Sequence, residues 1–348
     1  MSEQQKLTYA QAGINIDDTD EVKQNMAKSL ETNDGRVLNS LGAFASLFDF
    51  KFPEYDHPVL VMKTEEPGSK QKLAVQHNRI RSVCYDMVNH LINDIIVMGA
   101  KPLAVQDAII CGSVEKETIG EIVDAVAAAC KEQDCVLTGG ETSIQPGVLE
   151  PGSFILTSSI VGIVDKANII DGSAIRKGDV VLGIASNGVH TNGYTLVRAI
   201  IDRKPDILGE QVGGESFLDA IMKPHLCYYH ALKGLFGLQG LHGMAHITGG
   251  GIEGNLNRVI PPGLNASVDL SAIDILPVFK LIREAGNVDE REMQRTFNLG
   301  VGMVLVVDAG IVGQVKEHLS QYGINGAIIG EITEGDKQVV YRNRLNWE

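Results

Sequence analysis

The sequence is poor in positive charge. Its 348 residues include 30 Lys and Arg against 44 Asp and Glu, which gives a formal net charge of −14. Lys and Arg do not cluster in any segment. Nucleic acids and anionic membrane surfaces bind chiefly through positive charge, so the composition argues against both as partners. An acidic chain that binds phosphates needs a few placed cations and metal ions, which favours magnesium.

The sequence also lacks the patterns of secreted, zinc-binding and membrane proteins. It has five cysteines, an odd number, and none forms a C-x-x-C pair. This indicates reduced, buried thiols and neither a disulfide framework nor a zinc site. There is no stretch of 18 uncharged apolar residues and no cationic-then-apolar N-terminus. We therefore predict a cytoplasmic protein without a transmembrane helix.

The chain is longer than an ordinary domain with a single hydrophobic core, so its length indicates two domains. A polar segment around Asp171 and Gly172 suggests a boundary near residue 170, which gives domains 1–170 and 171–348. Both halves alternate between strand-like and helix-like segments, so we predict an α/β (α+β) fold with two mixed domains. The predicted strands are 59–63, 103–111, 135–138, 155–164, 180–185, 244–248, 266–270, 301–307, 326–332 and 337–342. The predicted helices are 22–30, 80–98, 116–133, 194–202, 217–235, 252–259, 276–285 and 311–322.

Two strand–glycine–helix units lie in the second half of the chain. In residues 246–256 a strand is followed by Gly249, Gly250 and Gly251 and then by a helix, and residues 180–200 repeat this design. Glycines let the backbone approach a ligand closely, and the first turn of a helix offers unpaired N–H groups to phosphate. Together, the two strand–glycine–helix units predict that the protein binds a phosphorylated ligand. His190, in the second loop, either packs locally or contacts the substrate.

The predicted helix 80–98 carries Asp86, His90, Asn93 and Asp94 on one face. One interpretation is that this polar face of the helix is exposed to solvent. The other is that these side chains bind metal ions, which the short oxygen-bearing Asp and Asn side chains favour. Asp86 and Asp94 lie about 12 Å apart along the helix axis, so they are expected to serve different ligands.

Two further segments follow strands directly. Residues 64–70 include Glu65, Gly68, Ser69 and Lys70, which are parts of a phosphate loop without being a Walker motif. Residues 138–142 are a Gly-Gly-Glu turn that would present a carboxylate at a strand end. Taken alone, both segments are more typical of structural turns than of ligand-binding loops.

Together these segments resemble the aminoimidazole ribonucleotide synthetase family, also called phosphoribosylformylglycinamidine cyclo-ligase. The similarity runs nearly from end to end. The segments that match the family are residues 9–16, 93–94, 99–102, 139–142, 169–173, 188–194, 246–251 and 296–303.

The resemblance implies a homodimer that pairs through its N-terminal sheet domains, with a C-terminal α/β domain that binds substrate. ATP and Mg²⁺ would bind the N-terminal half, and the glycine loops would hold the ribonucleotide phosphate. In the family, ATP converts the formyl amide oxygen of formylglycinamidine ribonucleotide to a phosphate ester. An internal nitrogen then attacks that carbon, expels phosphate and closes the imidazole ring.

The resemblance also assigns roles to residues. Magnesium would be held by Glu65, Asp94 and Glu141. Nucleotide phosphates would be held by Gly68, Ser69, Lys70, Gly139 and Gly140. The substrate would be held by His190, Asn192, Gly193, His246, Gly249, Gly250 and Gly251. Asp94 and His190 would be catalytic.

The sequence departs from the family pattern at three places. Glu66 replaces a glycine of the family loop T-D-G-V-G-T-K, and Ile144 replaces a carboxylate. The family segment P-T-R-I-Y occurs here as Pro-His-Leu-Cys-Tyr at residues 224–228, without its arginine. Two alternatives therefore stay open: a homologue that binds nucleotide or ribonucleotide without turnover, and a sister ATP-dependent enzyme of the same superfamily.

Overall fold

A computed structural model describes residues 32, 34–39, 43–113 and 116–348 of the chain. The predicted helix 22–30 lies outside these residues. The described part contains a four-stranded sheet in the N-terminal half and a six-stranded sheet in the C-terminal half, with a two-stranded hairpin beside the latter. The predicted mixture of helices and sheets in both halves is confirmed.

The strands of the described residues are β1 (Pro58–Glu65), β2 (Lys101–Cys111), β3 (Val136–Ile144), β4 (Phe154–Asp165), β5 (Val180–Ala185), β6 (Gln211–Val212), β7 (Glu215–Ser216), β8 (Leu241–His246), β9 (Leu264–Asp269), β10 (Val301–Val307), β11 (Gly326–Glu334) and β12 (Val339–Arg342). The α-helices are α1 (Lys70–Gln76), α2 (Ile80–Ile96), α3 (Lys116–Glu132), α4 (Tyr194–Arg203), α5 (Phe217–Met222), α6 (Tyr229–Leu232), α7 (Gly251–Leu256), α8 (Pro277–Gly286), α9 (Glu290–Thr296) and α10 (Val312–Ser320).

The N-terminal sheet has the strand order β1-β4-β2-β3, and only the β2–β3 pair is parallel. One face packs on α2 and α3, whose apolar residues are buried with those of β2 and β4 in one core. The described residues leave much of the opposite face uncovered. It carries Leu60, Met62 and Ile155, which are 46%, 73% and 39% exposed. An open apolar sheet face of this kind is typical of a surface that binds another protein.

The C-terminal sheet has the order β12-β9-β11-β5-β10-β8. Its strand β10 is buried along its whole length, as its continuous apolar sequence predicts. Both β5 and β8 run antiparallel to β10. They are therefore parallel to each other, and their carboxyl ends lie at the same edge of the sheet.

The predicted helix 217–235 is wrong as one continuous element. Helix α5 ends at Met222 and α6 begins at Tyr229, with an irregular segment between them. Pro224 lacks a backbone N–H and disfavours helix in the residue before it. The segment instead binds side chains of α2: the His225 N–H donates to Asp86 Oδ1 at 2.7 Å, and Asn93 Nδ2 donates to the Leu226 carbonyl at 2.8 Å.

The predicted strand 135–138 is too short. Strand β3 continues to Ile144, so Gly139, Gly140 and Glu141 lie within a strand and not in a turn. Pairing with β2 extends it, because Gly140 lies opposite Asp107. A Cβ at Gly140 would meet Asp107 Oδ1 at 2.0 Å, so only glycine fits here. Among the described residues, the structure has no helix long and apolar enough to cross a membrane.

Candidate active site

The two predicted strand–glycine–helix units are present and in contact. The loop after β5 leads through Gly193, at φ +83°, into α4, and the loop after β8 leads through Gly250, at φ +98°, into α7. A Cβ at Gly249 would lie 3.2 Å from Asn192 Oδ1. The parallel direction of β5 and β8 thus brings both glycine loops to one place.

Different structural constraints act on the individual glycines of these loops. A Cβ at Gly251 would lie 1.8 Å from the Gln294 carbonyl oxygen, and one at Gly193 would lie 2.2 Å from Phe297 Cε1. Packing against residues 294–297 requires both. Gly249 has only the Asn192 side chain nearby, so its backbone is the part of the triplet best placed to meet a ligand.

Four histidines converge beside these loops: His90 from α2, His190 from the loop after β5, His225 from the segment between α5 and α6, and His246 at the end of β8. All are at most 7% exposed. The rings of His190 and His225 stack with their centroids 3.8 Å apart, and Nε2 of His225 lies 2.9 Å from Nε2 of His246. The ring of His90 meets that of His246 edge-on at 5.1 Å.

Burial keeps three of these rings uncharged at neutral pH. It lowers the pKa of His90 to about 4, with a further contribution from His246. The pKa values of His190 and His225 also lie well below their ordinary value, first because of burial and then because of neighbouring histidines. These three rings are therefore neutral imidazoles, which act as hydrogen-bonding groups or ligands.

Asp94 links this cluster to the N-terminal sheet. Its Oδ1 accepts a hydrogen bond from His246 Nδ1 at 2.7 Å, and its Oδ2 lies 3.1 Å from Lys63 Nζ. Burial opposes its ionisation, but His246, His90 and Lys63 outweigh burial and hold the pKa of Asp94 below its ordinary value. Asp94 is thus an anion at neutral pH, at the meeting point of the two halves.

The Lys63 ammonium also contacts Glu65 Oε1, at 2.7 Å. Glu65 and Asp94 therefore hold one cationic group between them. Two carboxylates that share one cationic group are compatible with the Mg²⁺ ligand role that the family resemblance implies for Glu65 and Asp94. Lys63 itself was not singled out from the sequence, since one lysine in a strand carries no pattern.

Glu141 does not join Glu65 and Asp94. It lies on β3, at the other edge of the sheet from β1, with β4 and β2 between them. Three strand spacings correspond to about 14 Å. The alternation of side chains also puts Glu141 on the open face, because its partner Ala108 follows Asp107, which faces the helices. One ion cannot bind all three carboxylates in this arrangement.

The Lys70 side chain points into the protein interior and not toward a phosphate bound at the loop 64–70. Its side chain is 0% exposed and pairs with Asp86, Nζ to Oδ2 at 2.7 Å. Nζ also donates to the Lys223 carbonyl at 2.7 Å. Lys70 begins α1, directly after Gly68 at φ +65° and Ser69, and this turn directs it inward. The exposed polar atoms of the loop thus come from its other residues.

Neither interpretation of the polar face of α2 holds for Asp86 and Asn93. Both are 0% exposed, so they are not solvated, and both bind the segment between α5 and α6. Burial raises the pKa of Asp86 to about 6, against the opposing influence of Lys70. Asp94, two turns further along α2, instead contacts His246 and Lys63.

Neither His225 nor Thr191 was predicted from the sequence as a site residue. His225 completes the histidine cluster, and Thr191 Oγ1 lies 3.0 Å from His90 Nδ1 and 3.5 Å from His225 Nδ1. The replacement of threonine by histidine within P-T-R-I-Y was the available signal for His225. Its neighbours come from distant parts of the chain, so no local pattern could identify them.

Comparison with known proteins identifies both halves. Residues 51–164 match the family described as AIR synthase related protein, N-terminal domain, and residues 176–343 match the C-terminal domain of the same family. Fold and site thus define a member of the AIR synthase related proteins.

The relatives narrow this class. The phosphoribosylformylglycinamidine cyclo-ligase of Nitrosococcus oceani is 41% identical over 328 residues, covering 94% of this chain and 91% of the relative. The enzyme of that name from Methylobacillus flagellatus is 41% identical over 332 residues, covering 95% and 96%. The chain belongs to the phosphoribosylformylglycinamidine cyclo-ligase family, and the family prediction from its motifs is confirmed.

Solved structures support the fold alone. Thiamine-monophosphate kinase from Stenotrophomonas maltophilia K279a has a TM-score of 0.67 at 14% identity, covering 94% of this chain and 96% of that one. E. coli HypE, a hydrogenase maturation protein, has a TM-score of 0.67 at 17% identity, covering 93% and 94%.

Proposed function

We propose that the chain catalyses the ATP-dependent ring closure of formylglycinamidine ribonucleotide to aminoimidazole ribonucleotide in the cytoplasm. The observation that carries this is the position of Asp94 in a chain whose cyclo-ligase relatives match it over nearly its full length. Asp94 touches His246 beside the glycine loops and Lys63 on the N-terminal sheet. This position supports a site in which a ribonucleotide on the loops meets a nucleotide held by the N-terminal half.

The roles follow from the contacts. The backbone around Gly249, with Asn192 beside it, is suited to the ribonucleotide phosphate. Asp94, ionised at all working pH values, is suited to orient the reacting amide or to hold a metal ion. Mg²⁺ bound at Asp94 and Glu65 would neutralise charge on the transferred phosphoryl group. Positioning and charge neutralisation, without a covalent nucleophile, are sufficient for this reaction class.

The direct test is turnover of formylglycinamidine ribonucleotide with ATP and Mg²⁺, with both ADP and aminoimidazole ribonucleotide measured. The Asp94→Asn variant is expected to lose at least about 100-fold in kcat. Asp202→Asn, at an exposed aspartate of α4, is the matched control and should keep full activity. Absence of both products with the wild-type protein would reject the proposal, as would full activity of Asp94→Asn.

A second candidate function is nucleotide binding without turnover. Lys63 favours it, because its ammonium lies between the carboxylates expected to hold Mg²⁺, and Glu66 adds a negative charge to the neighbouring loop. Calorimetry with ATP and Mg²⁺ separates the two. Heat of binding without ADP or aminoimidazole ribonucleotide in the turnover assay would select this candidate.

We also propose that the protein is a homodimer that pairs through the open face of the N-terminal sheet. The exposed Leu60, Met62 and Ile155 of β1 and β4 support this, since an apolar sheet face is stabilised when a second copy covers it. Light scattering should give twice the chain mass for the wild type and a monomer for Met62→Glu. Val340→Glu, at an exposed apolar position of β12, should leave the dimer intact. A monomeric wild type would exclude the dimer.

A further inference from the structure

We propose that His190, His225 and His246 form a binding site for a divalent first-row transition metal, with Zn²⁺ as the best-suited ion. Its ligands do not include Glu65 or Asp94, for which a Mg²⁺ role is implied, although Asp94 accepts a hydrogen bond from His246. The site requires neither ATP nor substrate, so it stands independently of the proposed function.

The three rings are close enough to share one ion. Each offers a ring nitrogen that lies within 4.8 Å of the nitrogens offered by the other two. Zn–N bonds of about 2.0–2.1 Å in tetrahedral geometry put ligand nitrogens roughly 3.4 Å apart. Nε2 of His225 and Nε2 of His246, at 2.9 Å, need to separate only slightly. His190 and His225 are stacked at an interplanar angle of 22°, so one ring must turn to direct its lone pair at the ion.

The surrounding hydrogen bonds direct the remaining nitrogens inward. His246 donates from Nδ1 to Asp94, and His190 donates from Nε2 to Asn187 Oδ1 at 3.0 Å. Nδ1 of His225 faces Thr191 Oγ1 at 3.5 Å. When the outer nitrogen of an imidazole carries the proton, the inner nitrogen presents a lone pair, and carboxylate–histidine–metal contacts of this kind are a regular feature of metal sites.

A buried ring nitrogen without a hydrogen-bond partner supports the same site. His190 is 1% exposed, and its Nδ1 has no hydrogen-bond partner among the described residues. A buried polar atom without a partner is uncommon and costly. Nε2 of His225 and Nε2 of His246 share a single hydrogen bond at 2.9 Å, which leaves His190 Nδ1 as the nitrogen of the three without a partner in the described part of the chain. One metal ion satisfies all three nitrogens at once.

A second group, His90, Asp94 and His246, also lies within metal-binding distance. Two observations favour the three-histidine site over it. An ion bound at the second group leaves His190 Nδ1 without a partner. Three imidazoles suit Zn²⁺ and its neighbours in the first row, whereas Mg²⁺ prefers oxygen ligands.

The test is metal binding by the full-length, metal-stripped protein, with Zn²⁺ measured by equilibrium dialysis and Co²⁺ by its visible absorption. We expect one ion per chain, a Co²⁺ spectrum of four-coordinate type and no displacement by excess Mg²⁺. His225→Thr restores the residue of the family segment P-T-R-I-Y and should weaken Zn²⁺ binding at least about tenfold. His57→Gln, at an exposed histidine, should bind as the wild type does.

Circular dichroism verifies that the variants are folded, and His225→Gln replaces His225→Thr if the latter is not. Three results would overturn the site: no stoichiometric binding by the wild type, Zn²⁺ affinity unchanged in the folded His225 variant, or displacement by Mg²⁺. Loss of binding in His90→Gln with binding retained in the His225 variant would place the ion at the second group and also overturn it.

Discussion

Lys70 and Asp86 form an ion pair in which neither side chain is exposed to solvent, with Nζ 2.7 Å from Oδ2. The pair joins the start of α1 to α2. Both partners also bind the backbone of the segment between α5 and α6: Lys70 donates to the Lys223 carbonyl, and Asp86 accepts from the His225 N–H. This ion pair therefore holds the N-terminal helices against the C-terminal half.

Removing one partner of this pair is expected to destabilise the protein strongly. Lys70→Met leaves the Asp86 carboxylate buried without its counter-charge, which costs about 3–5 kcal/mol of unfolding free energy. Urea unfolding measures the difference. The double variant Lys70→Met/Asp86→Leu removes both charges and should recover part of the loss.

The matched control is Lys177→Met. Lys177 pairs with Glu334 at 2.9 Å, but the two side chains are 65% and 78% exposed. A pair of this kind contributes less than about 1 kcal/mol. Equal losses of unfolding free energy in the two lysine variants would show that burial does not increase the contribution of the Lys70–Asp86 pair to stability.

Asp107 is expected to make stability fall as pH rises. Burial raises the pKa of this carboxyl, which is 7% exposed, to about 7 from 3.8. Between these values the folded protein binds a proton that the unfolded chain has released, so the unfolding free energy decreases with pH across the interval and is flat above it. From about pH 5 to pH 8 the loss is roughly 3 kcal/mol.

Asp107→Asn should remove that part of the pH dependence while leaving the contributions of other groups in place. Denaturant unfolding of wild type and variant across this range gives the difference directly. Asp202→Asn, at an exposed carboxylate, should follow the wild-type curve. Parallel curves for wild type and Asp107→Asn would mean that Asp107 is ionised in the folded state throughout.

The family, the mixed fold and both glycine loops were predictable from the sequence, because each depends on local patterns or on segments in a fixed order. The inward direction of Lys70 was not, since it depends on a helix beginning there and on Asp86 opposite it. The length of β3 was missed because pairing with β2, and not local composition, extends it through Gly139 and Gly140. The histidine cluster needs four distant segments, and only their folding brings His225 to His190.

Gly251 is expected to tolerate no side chain. Its φ is +62°, and a Cβ would meet the Gln294 carbonyl oxygen at 1.8 Å, so α7 or α9 must move. Gly251→Ala should cost more than about 3 kcal/mol of unfolding free energy. Gly254→Ala is the control in the same helix, because nothing lies within 4 Å of its Cβ position. It should stabilise the protein by roughly 0.5–1 kcal/mol. A stable, fully folded Gly251→Ala protein would contradict the close packing of α7 on α9.

Lys63 is expected to compete with magnesium. Its ammonium contacts Glu65 at 2.7 Å and Asp94 at 3.1 Å, so a divalent cation can bind both carboxylates only after the ammonium has moved away. In Lys63→Met the two carboxylates lose this partner and repel each other, a strain that a bound cation relieves. The Mg²⁺ concentration for half-maximal ATP turnover or ATP binding should therefore fall, by roughly tenfold for a gain of about 1.4 kcal/mol. Lys72→Met, at an exposed lysine of α1, removes the same charge elsewhere and should leave the Mg²⁺ dependence unchanged. If Lys63→Met instead needs more Mg²⁺ or loses nucleotide binding, the ammonium itself contacts the phosphates, and the two carboxylates serve to position a lysine and not a metal ion.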